Sequence, residues 1–305
     1  MDLEKDVVEI AKRELAARKV SVVLMDDRAI LLRFFVLQHR LLGPGPYQIA
    51  LSSRAALRLF FEIPSKAREG AYRLLQCAHS TEEMWPHQST RLLRGGHYGV
   101  GRKHPQHDAL FNDWGIQHLH LGMSFRADGF IERTLFVAFI IIRSRVLYVI
   151  DIRPHGSWED VELLNIVDRN WPALVDPHLA KGALAFQPPP ELNTKRARKL
   201  GLTMPIQLAS GKILLPPGGG YMNSGHSRIA LTEMDRCLAG LQRLQAYACE
   251  NETVLLRRVQ EVHPHVTRLD LHVEFVGNDL ELRDRSSGLR FTLPDGRRFP
   301  AVVGL

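Results

Sequence analysis

The chain has 305 residues, 45% of them hydrophobic and 24% charged, a globular composition that excludes a disordered chain. A formal net charge of +7 and a pI near 9.5 permit an anionic partner such as nucleic acid. Its three cysteines, Cys77, Cys237 and Cys249, lack CxxC spacing, which argues against a zinc ribbon or a disulfide framework and fits a reducing compartment.

The first part of the chain, residues 1–94, is predicted to be an α/β region. Residues 3–18 carry apolar side chains at helical spacing among mixed charges, and residues 65–77 also favour a helix. Residues 20–25 and 29–36 are rich in β-branched and aromatic side chains, with an acidic pair between them. That pattern is typical of a β-hairpin.

The sequence contains no segment that predicts insertion into a membrane. The N-terminal segment is charged throughout and lacks the apolar core of a signal peptide. The longest apolar run, residues 135–142, is too short to span a bilayer. We therefore expect a cytoplasmic protein without a membrane partner.

The second part, residues 95–180, is predicted to be a compact α+β domain with a small antiparallel sheet and flanking helices. Residues 116–123 alternate apolar and polar side chains, as expected of a strand. Residues 134–142 form a continuous apolar strand, which predicts cover on both faces, and residues 146–152 return beside it. A helix with an apolar face follows and ends before Pro172.

The third part, residues 181–305, is predicted to hold a linker, a helix and a β-meander module. The linker is proline-rich and leads into a basic run at residues 195–199. A helix over residues 227–248 has an apolar stripe on one side. Three short strands follow, at residues 269–275, 280–283 and 289–293.

Residues 216–228, PPGGGYMNSGHSR, have two interpretations. Successive glycines before a helix can form an anion-binding nest, although the segment lacks the GxxxxGK[ST] spacing of a phosphate loop. Alternatively the segment is a hinge into the following helix, with Ser227 as the helix cap.

Two histidines, His118 and His120, stand one residue apart in the first predicted strand of the second part. Side chains two residues apart in a strand emerge on the same face, so the two imidazoles should point together. Leu119 and Leu121 should then pack on the opposite face. Paired imidazoles on a strand suit either acid–base chemistry or a metal site.

A third imidazole, His155, follows the third predicted strand. In a meander the C-terminal ends of the first and third strands lie at the same edge, which brings His120 and His155 together with Arg153 beside them. With the second strand between them, the outer strands would be about 9.6 Å apart, a gap that could hold a substrate phosphate.

These residues support three functions. Two imidazoles could take the proton of an RNA 2′-hydroxyl and protonate the leaving oxygen, with Arg153 stabilising the phosphate charge and no cofactor. Alternatively His118, His120 and His155 could bind a divalent transition metal, although no carboxylate follows at tight spacing and Glu132 is too far along the chain. The third reading is that the histidines are structural polar residues of a half-buried sheet.

A basic segment precedes the histidine strand. Arg102, Lys103 and His104 would guide a nucleic-acid backbone, or would belong to a solvated loop. His97 and His107 belong to the same group.

The order of strand, apolar strand, strand, basic residue and helix resembles the RelE/ParE-like ribonuclease toxins and the wider barnase–EndoU class. The counterparts in this chain are IQHLHL, LFVAFII and VLYVIDIRPH, and the resemblance covers about residues 95–171. It implies acid–base roles for His118, His120 and His155 and a phosphate contact for Arg153. The departure is that histidines replace the usual Lys/Arg-rich cleavage set.

The sequence thus favours a metal-independent endoribonuclease that acts as a bacterial toxin or phage-defence effector. RNA is its expected partner, and the flanking parts would bind an antitoxin or regulatory protein or form a homo-oligomer. The alternatives are a metal-dependent hydrolase with a three-histidine site, and a non-enzymatic module that binds nucleic acid or protein.

Overall fold

The computed structural model describes residues 2–93, 108–182, 194–199, 202–222, 226–276, 279–291 and 299–300. It divides into two compact units. The terminal unit consists of the residues up to His39 and the described residues from Ala230 onward, and the central unit is Arg40–Ile229. Both combine helices with small sheets, so the predicted α+β class is confirmed. The predicted three-part division, 1–94, 95–180 and 181–305, stays a prediction.

The predicted helices at residues 3–18, 65–77 and 227–248 are confirmed. The helices are α1 (Leu3–Ala17), α2 (Asp27–Arg40), α3 (Ser53–Leu57), α4 (Ser65–His79), α5 (Ala109–Trp114), α6 (Glu162–Asn170), α7 (Pro172–Val175), α8 (Thr194–Lys199), α9 (Arg228–Glu250) and α10 (Glu252–Val262). A π-helical turn, Arg58–Glu62, continues α3, and short 3-10 helices lie at Trp85–His87, Thr90–Leu92 and Asp176–His178.

The strands are β1 (Gln48–Leu51), β2 (Gln117–His120), β3 (Phe136–Arg143), β4 (Val146–Pro154), β5 (Ile206–Gln207), β6 (Ile213–Leu214), β7 (Leu271–Val276), β8 (Asp279–Asp284), β9 (Arg290–Phe291) and β10 (Phe299–Pro300). The described helices are too short or too polar to cross a bilayer.

The predicted hairpin over residues 20–25 and 29–36 is wrong, because this region contains the helix α2. The helix buries apolar side chains around most of its circumference, so the sequence lacks the periodic polar face that identifies a helix. The acidic pair read as a turn marks the helix start instead. The Asp26 carboxylate accepts a hydrogen bond from the amide of Ala29 at 2.7 Å, as an N-cap does.

The main sheet of the central unit has four strands in the order β1-β4-β3-β2. The neighbouring strands β2, β3 and β4 are antiparallel, as predicted from their order in the sequence. Strand β1 was not predicted, and it pairs with β4 in parallel, so the sheet as a whole is mixed. The short β1 follows a Pro-Gly-Pro segment that obscured it in the sequence.

Apolar clusters cover both faces of this sheet. On one face Leu119, Leu121 and Ala138 pack with residues of α4. On the other, Val137 and Phe139 pack with residues of α6. The prediction of a central strand covered on both sides is therefore confirmed, and the two leucines beside the histidines face the first cluster, as expected.

The terminal unit contains the predicted C-terminal β-meander. Strand β7 pairs with β8, and β9 and β10 each pair with β8, all antiparallel. The last predicted strand, residues 289–293, is described as far as Phe291. In α9, Met234 and Leu241 of the predicted apolar stripe are buried.

Candidate metal centre

Three imidazoles, from His118, His120 and His155, meet at one end of the main sheet. The ring centroids are 5.8 Å apart for His118 and His120, 5.9 Å for His118 and His155, and 5.7 Å for His120 and His155. One ring nitrogen from each residue lies within 4.8 Å of the other two. The structure therefore brings together the three histidines that the sequence singled out.

The pairing of the strands explains why the first two rings share a face with the end of β4. His120 lies opposite Val137 of β3, and Val137 lies opposite Arg153 of β4. Directly paired residues of neighbouring strands point to the same side of a sheet, so these three side chains leave the same face. His155, two residues beyond Arg153, continues the alternation on that face.

A β-bulge places His155 on this side. Between Phe139 and Ile140 the register of β3 against β4 shifts, because Ile150 has no partner of its own in the ladder. Side chains alternate with a period of two, so one extra residue reverses the side to which all later residues of β4 point. The backbone amide of His155 then donates a hydrogen bond to the carbonyl of Leu135 at 2.6 Å, which anchors the histidine just after the strand.

The three rings lie at different depths. His120 is buried with 2% of its surface exposed, His118 is half-buried, and His155 is exposed. Burial, and then the electrostatic influence of its neighbours, lowers the pKa of His120 to about 3. The neighbours are His118, His155, Arg133 and His87. His120 is therefore neutral at physiological pH.

His87 contacts the backbone of β2 at His120, and the sequence pattern did not identify it as part of the site. It is buried, and its Nδ1 lies 2.9 Å from the backbone carbonyl oxygen of His120. A carbonyl oxygen can only accept, so Nδ1 of His87 carries the proton and donates it. Burial also lowers the pKa of His87. This histidine lies far from the HxH pair in the sequence, and no local pattern connects them.

Trp158 forms one wall of the site. Its ring lies 4.3 Å from that of His118, 4.6 Å from that of His155 and 5.7 Å from that of Phe139, measured between centroids. The indole thereby restricts the rotation of two imidazoles and covers them on one side. Its signal in the sequence, an aromatic residue three positions after His155, is too common to identify it as part of a site.

Arg153 lies in the row of His120, but its guanidinium is already engaged. It pairs with the fully buried Asp151 and with Asp160, and Asp151 also pairs with Nε of Arg58 at 2.9 Å. Arg153 is 8% exposed, so its charge serves to hold the end of β4. Its predicted contact with a substrate phosphate stays a prediction that the geometry does not favour.

The basic segment with Arg102, Lys103 and His104, and with His97 and His107, lies outside the described residues. The glycine segment is described except for residues 223–225, and the hinge interpretation with Ser227 as the helix cap stays a prediction. The amides of Gly218 and Gly220 donate to the carbonyls of Asp113 and Asn112 at 2.9 and 2.7 Å, so they do not form an anion nest. A Cβ at Gly218 would lie 2.1 Å from the carbonyl oxygen of Phe111, which explains the glycine at this position.

The arrangement can hold a transition metal. Two imidazole nitrogens bound to one tetrahedral zinc ion lie about 3.3 Å apart, given Zn–N bonds of about 2.0–2.1 Å. Small rotations of the three side chains would bring nitrogens now within 4.8 Å of one another to that separation. Within the described residues, the cluster consists of imidazoles and includes no carboxylate.

Comparison with protein families, curated proteins and solved structures finds no significant match to this chain. The resemblance to ribonuclease toxins therefore stays a prediction from the order of its strands.

Proposed function

We propose that this protein is a metal-dependent hydrolase in which His118, His120 and His155 bind one divalent transition metal ion. The observation that carries the proposal is the approach of one nitrogen from each ring to within 4.8 Å of the other two. Neutral imidazole is the commonest protein ligand for such metals. Of the three functions that the sequence leaves open, the geometry supports this one best.

The electrostatics of the site support metal binding over proton transfer. A metal competes with protons for imidazole nitrogens, so a ligand that is neutral at physiological pH binds without first losing a proton. His120 meets that condition, since its pKa is lowered to about 3. The same shift makes His120 a poor general acid, because efficient acid–base catalysis needs a pKa near the working pH.

The number of ligands favours a catalytic site over a structural one. Structural zinc sites use four protein ligands, whereas catalytic sites use three and leave a position for water or substrate. Here the exposed His155 lies on the solvent side, and Trp158 covers another side. A divalent ion held by these three histidines would supply a nucleophile from water near neutral pH.

The metal-independent endoribonuclease is the second candidate. The observation in its favour is that the exposed His155 lies beside the half-buried His118, with centroids 5.9 Å apart, where both could exchange protons with solvent. RNA as substrate, a role as a toxin or phage-defence effector, and an antitoxin or regulatory partner belong to this candidate.

Metal analysis separates the two. Purified protein should contain about one zinc, iron, manganese or cobalt ion per chain, or take up one on titration. His155→Ala should weaken binding by more than about 100-fold, since loss of even a supporting partner costs about 10–100-fold. The matched control is His79→Ala, an exposed histidine at the end of α4, which should bind as the wild type does.

Hydrolysis is then measured on panels of RNA, DNA, nucleotides and simple esters, with and without EDTA. The proposal expects activity that EDTA abolishes and that added metal restores. Cleavage of RNA that survives EDTA in a protein without bound metal would refute it and support the second candidate.

A further inference from the structure

Arg133 lies on the segment that joins β2 and β3. The next residue, Thr134, accepts a hydrogen bond through Oγ1 from the amide of Leu121 at 3.0 Å, directly after His120. One terminal nitrogen of Arg133 donates to Oγ1 of Thr90 at 3.1 Å. These two contacts hold the arginine next to the end of the histidine strand.

Arg133 is exposed, and its guanidinium forms no salt bridge with an acidic side chain among the described residues. Salt bridges link Arg126 of the same segment to Asp128 at 3.0 Å, and Arg153 to Asp151 and Asp160. The corresponding contact of Arg133 is to a neutral threonine. Its charge nevertheless lies close enough to His120 to contribute to the lowered pKa of that ring.

The ligand set adds to this positive environment. Three neutral imidazoles leave the double positive charge of a divalent ion uncompensated, whereas a carboxylate ligand would cancel part of it. Around such an ion the guanidinium of Arg133, whose described partner is the neutral Thr90, would strengthen the attraction for an anion. Arginine also matches the geometry of phosphate and carboxylate oxygens through two parallel hydrogen bonds.

We propose that the substrate of this centre carries an oxyanionic group, phosphate or carboxylate, which Arg133 binds beside the metal. The inference rests on the proposed metal centre and assigns Arg133 as a specificity-determining residue. Substrates that lack the anion should be bound less well for want of this contact.

The test uses the full-length protein loaded with cobalt, whose visible absorption reports changes in the ligands of the metal. It is titrated with inorganic phosphate and, separately, with acetate, at constant ionic strength. Arg133→Gln should weaken the binding of the preferred anion about tenfold, as expected for the loss of a charge-assisted hydrogen bond. Arg133→Lys should restore part of the affinity.

The matched control is Arg126→Gln, which removes an arginine of the same segment whose charge is already paired. It should bind both anions as the wild type does. Arg133→Gln should still bind about one cobalt ion per chain, which shows that the three ligands are in place.

The outcomes distinguish the two proposals. If cobalt does not bind to the wild type, the metal centre itself fails. If cobalt binds but neither anion does, or if Arg133→Gln binds both with wild-type affinity, the role of Arg133 is overturned while the metal centre stands. A stronger effect on phosphate than on acetate identifies a phosphoester as the substrate class, and the reverse identifies a carboxylate.

Discussion

His120 is the residue on which the chemistry of the site depends most. It lies at the base of the cluster, buried beneath the more accessible rings of His118 and His155. A buried imidazole surrounded by other cationic or potentially cationic groups resists protonation. The same arrangement that prepares it as a metal ligand also makes the metal-free protein sensitive to acid.

Acid should destabilise the metal-free protein through His120. The unfolded chain takes up a proton at this position near the ordinary pKa of 6.5, whereas the folded protein does so only near 3. Between those pH values the unfolded state binds more protons. The free energy of unfolding therefore decreases by about 1.4 kcal/mol for each unit by which the pH is lowered, for this one group. Urea denaturation in EDTA from pH 7.5 to 4.5 measures the slope.

His120→Asn should reduce that slope by about 1.4 kcal/mol per pH unit, the contribution of one proton. His79→Asn should leave the slope unchanged. Part of the slope should persist, because burial lowers the pKa of His87 as well. A wild-type slope in His120→Asn would show that this ring is not the group responsible.

His87 should affect both the stability of the protein and its metal affinity, although it is not one of the three proposed ligands. His87→Leu leaves the buried carbonyl of His120 without its donor, which should cost about 1–3 kcal/mol of stability. Metal affinity should fall with it, because the carbonyl belongs to a ligand residue. His87→Gln can supply a donor to the same carbonyl and should recover part of both. Equal losses in the two variants would indicate that packing, and not the hydrogen bond, is the contribution of His87.

At the scale of elements, the end of β4 decides whether the site exists. The first two histidines come from one strand, but the third depends on the bulge at Ile150 and on the anchoring of the chain beyond the strand. Asp151, with no exposed surface, lies at the centre of this region and pairs with Arg58 and Arg153. The pair with Arg58 joins β4 to the π-helical turn that follows α3, and the pair with Arg153 lies within β4.

Asp151→Ala should destabilise the protein by about 3–5 kcal/mol, because it removes the buried carboxylate that Arg58 and Arg153 share and leaves the buried Arg153 with only the half-exposed Asp160 as a partner. It should also weaken metal binding by displacing His155. Glu162→Gln is the control, since it breaks an exposed pair with Arg169 and should cost no more than about 1 kcal/mol. Urea denaturation and metal titration of both variants provide the comparison. Similar small losses in both would show that the pairs of Asp151 do not hold β4.

At the scale of the whole molecule, the site belongs to the central unit, and all three histidines lie within Arg40–Ile229. The three histidines are brought together only in the folded state, so a metal should bind the folded protein and not the unfolded chain. The basic balance of the chain, +7, is a property of all its residues and favours anionic partners in general.

Metal should therefore raise the melting temperature. At a free concentration 100 times the dissociation constant, a ligand that binds the folded state alone stabilises it by about 2.7 kcal/mol. Differential scanning calorimetry with zinc should show the increase in the wild type, and His155→Ala should abolish it. If the two units unfold separately, the transition of the central unit should move. A wild-type transition that zinc leaves in place would contradict binding to the folded state.

The sequence alone determined the pieces that depend on local periodicity. The spacing of two put His118 and His120 on one face with Leu119 behind them, and the apolar runs predicted β3 and β4, because strand geometry follows directly from alternation. Helices with a polar side, such as α1, were predicted for the same reason. The buried α2 was not, since a helix surrounded by apolar contacts loses its pattern.

Only the tertiary structure determined how these strands and helices assemble the site. The bulge that turns His155 toward the pair arises from pairing between β3 and β4, and the hydrogen bond of His87 joins residues 33 positions apart. The depth of His120, and with it the lowered pKa, depends on packing from several elements. Contacts between distant residues leave no local pattern in the sequence. The sequence therefore predicted the three imidazoles, and the fold determined that they lie together at one site.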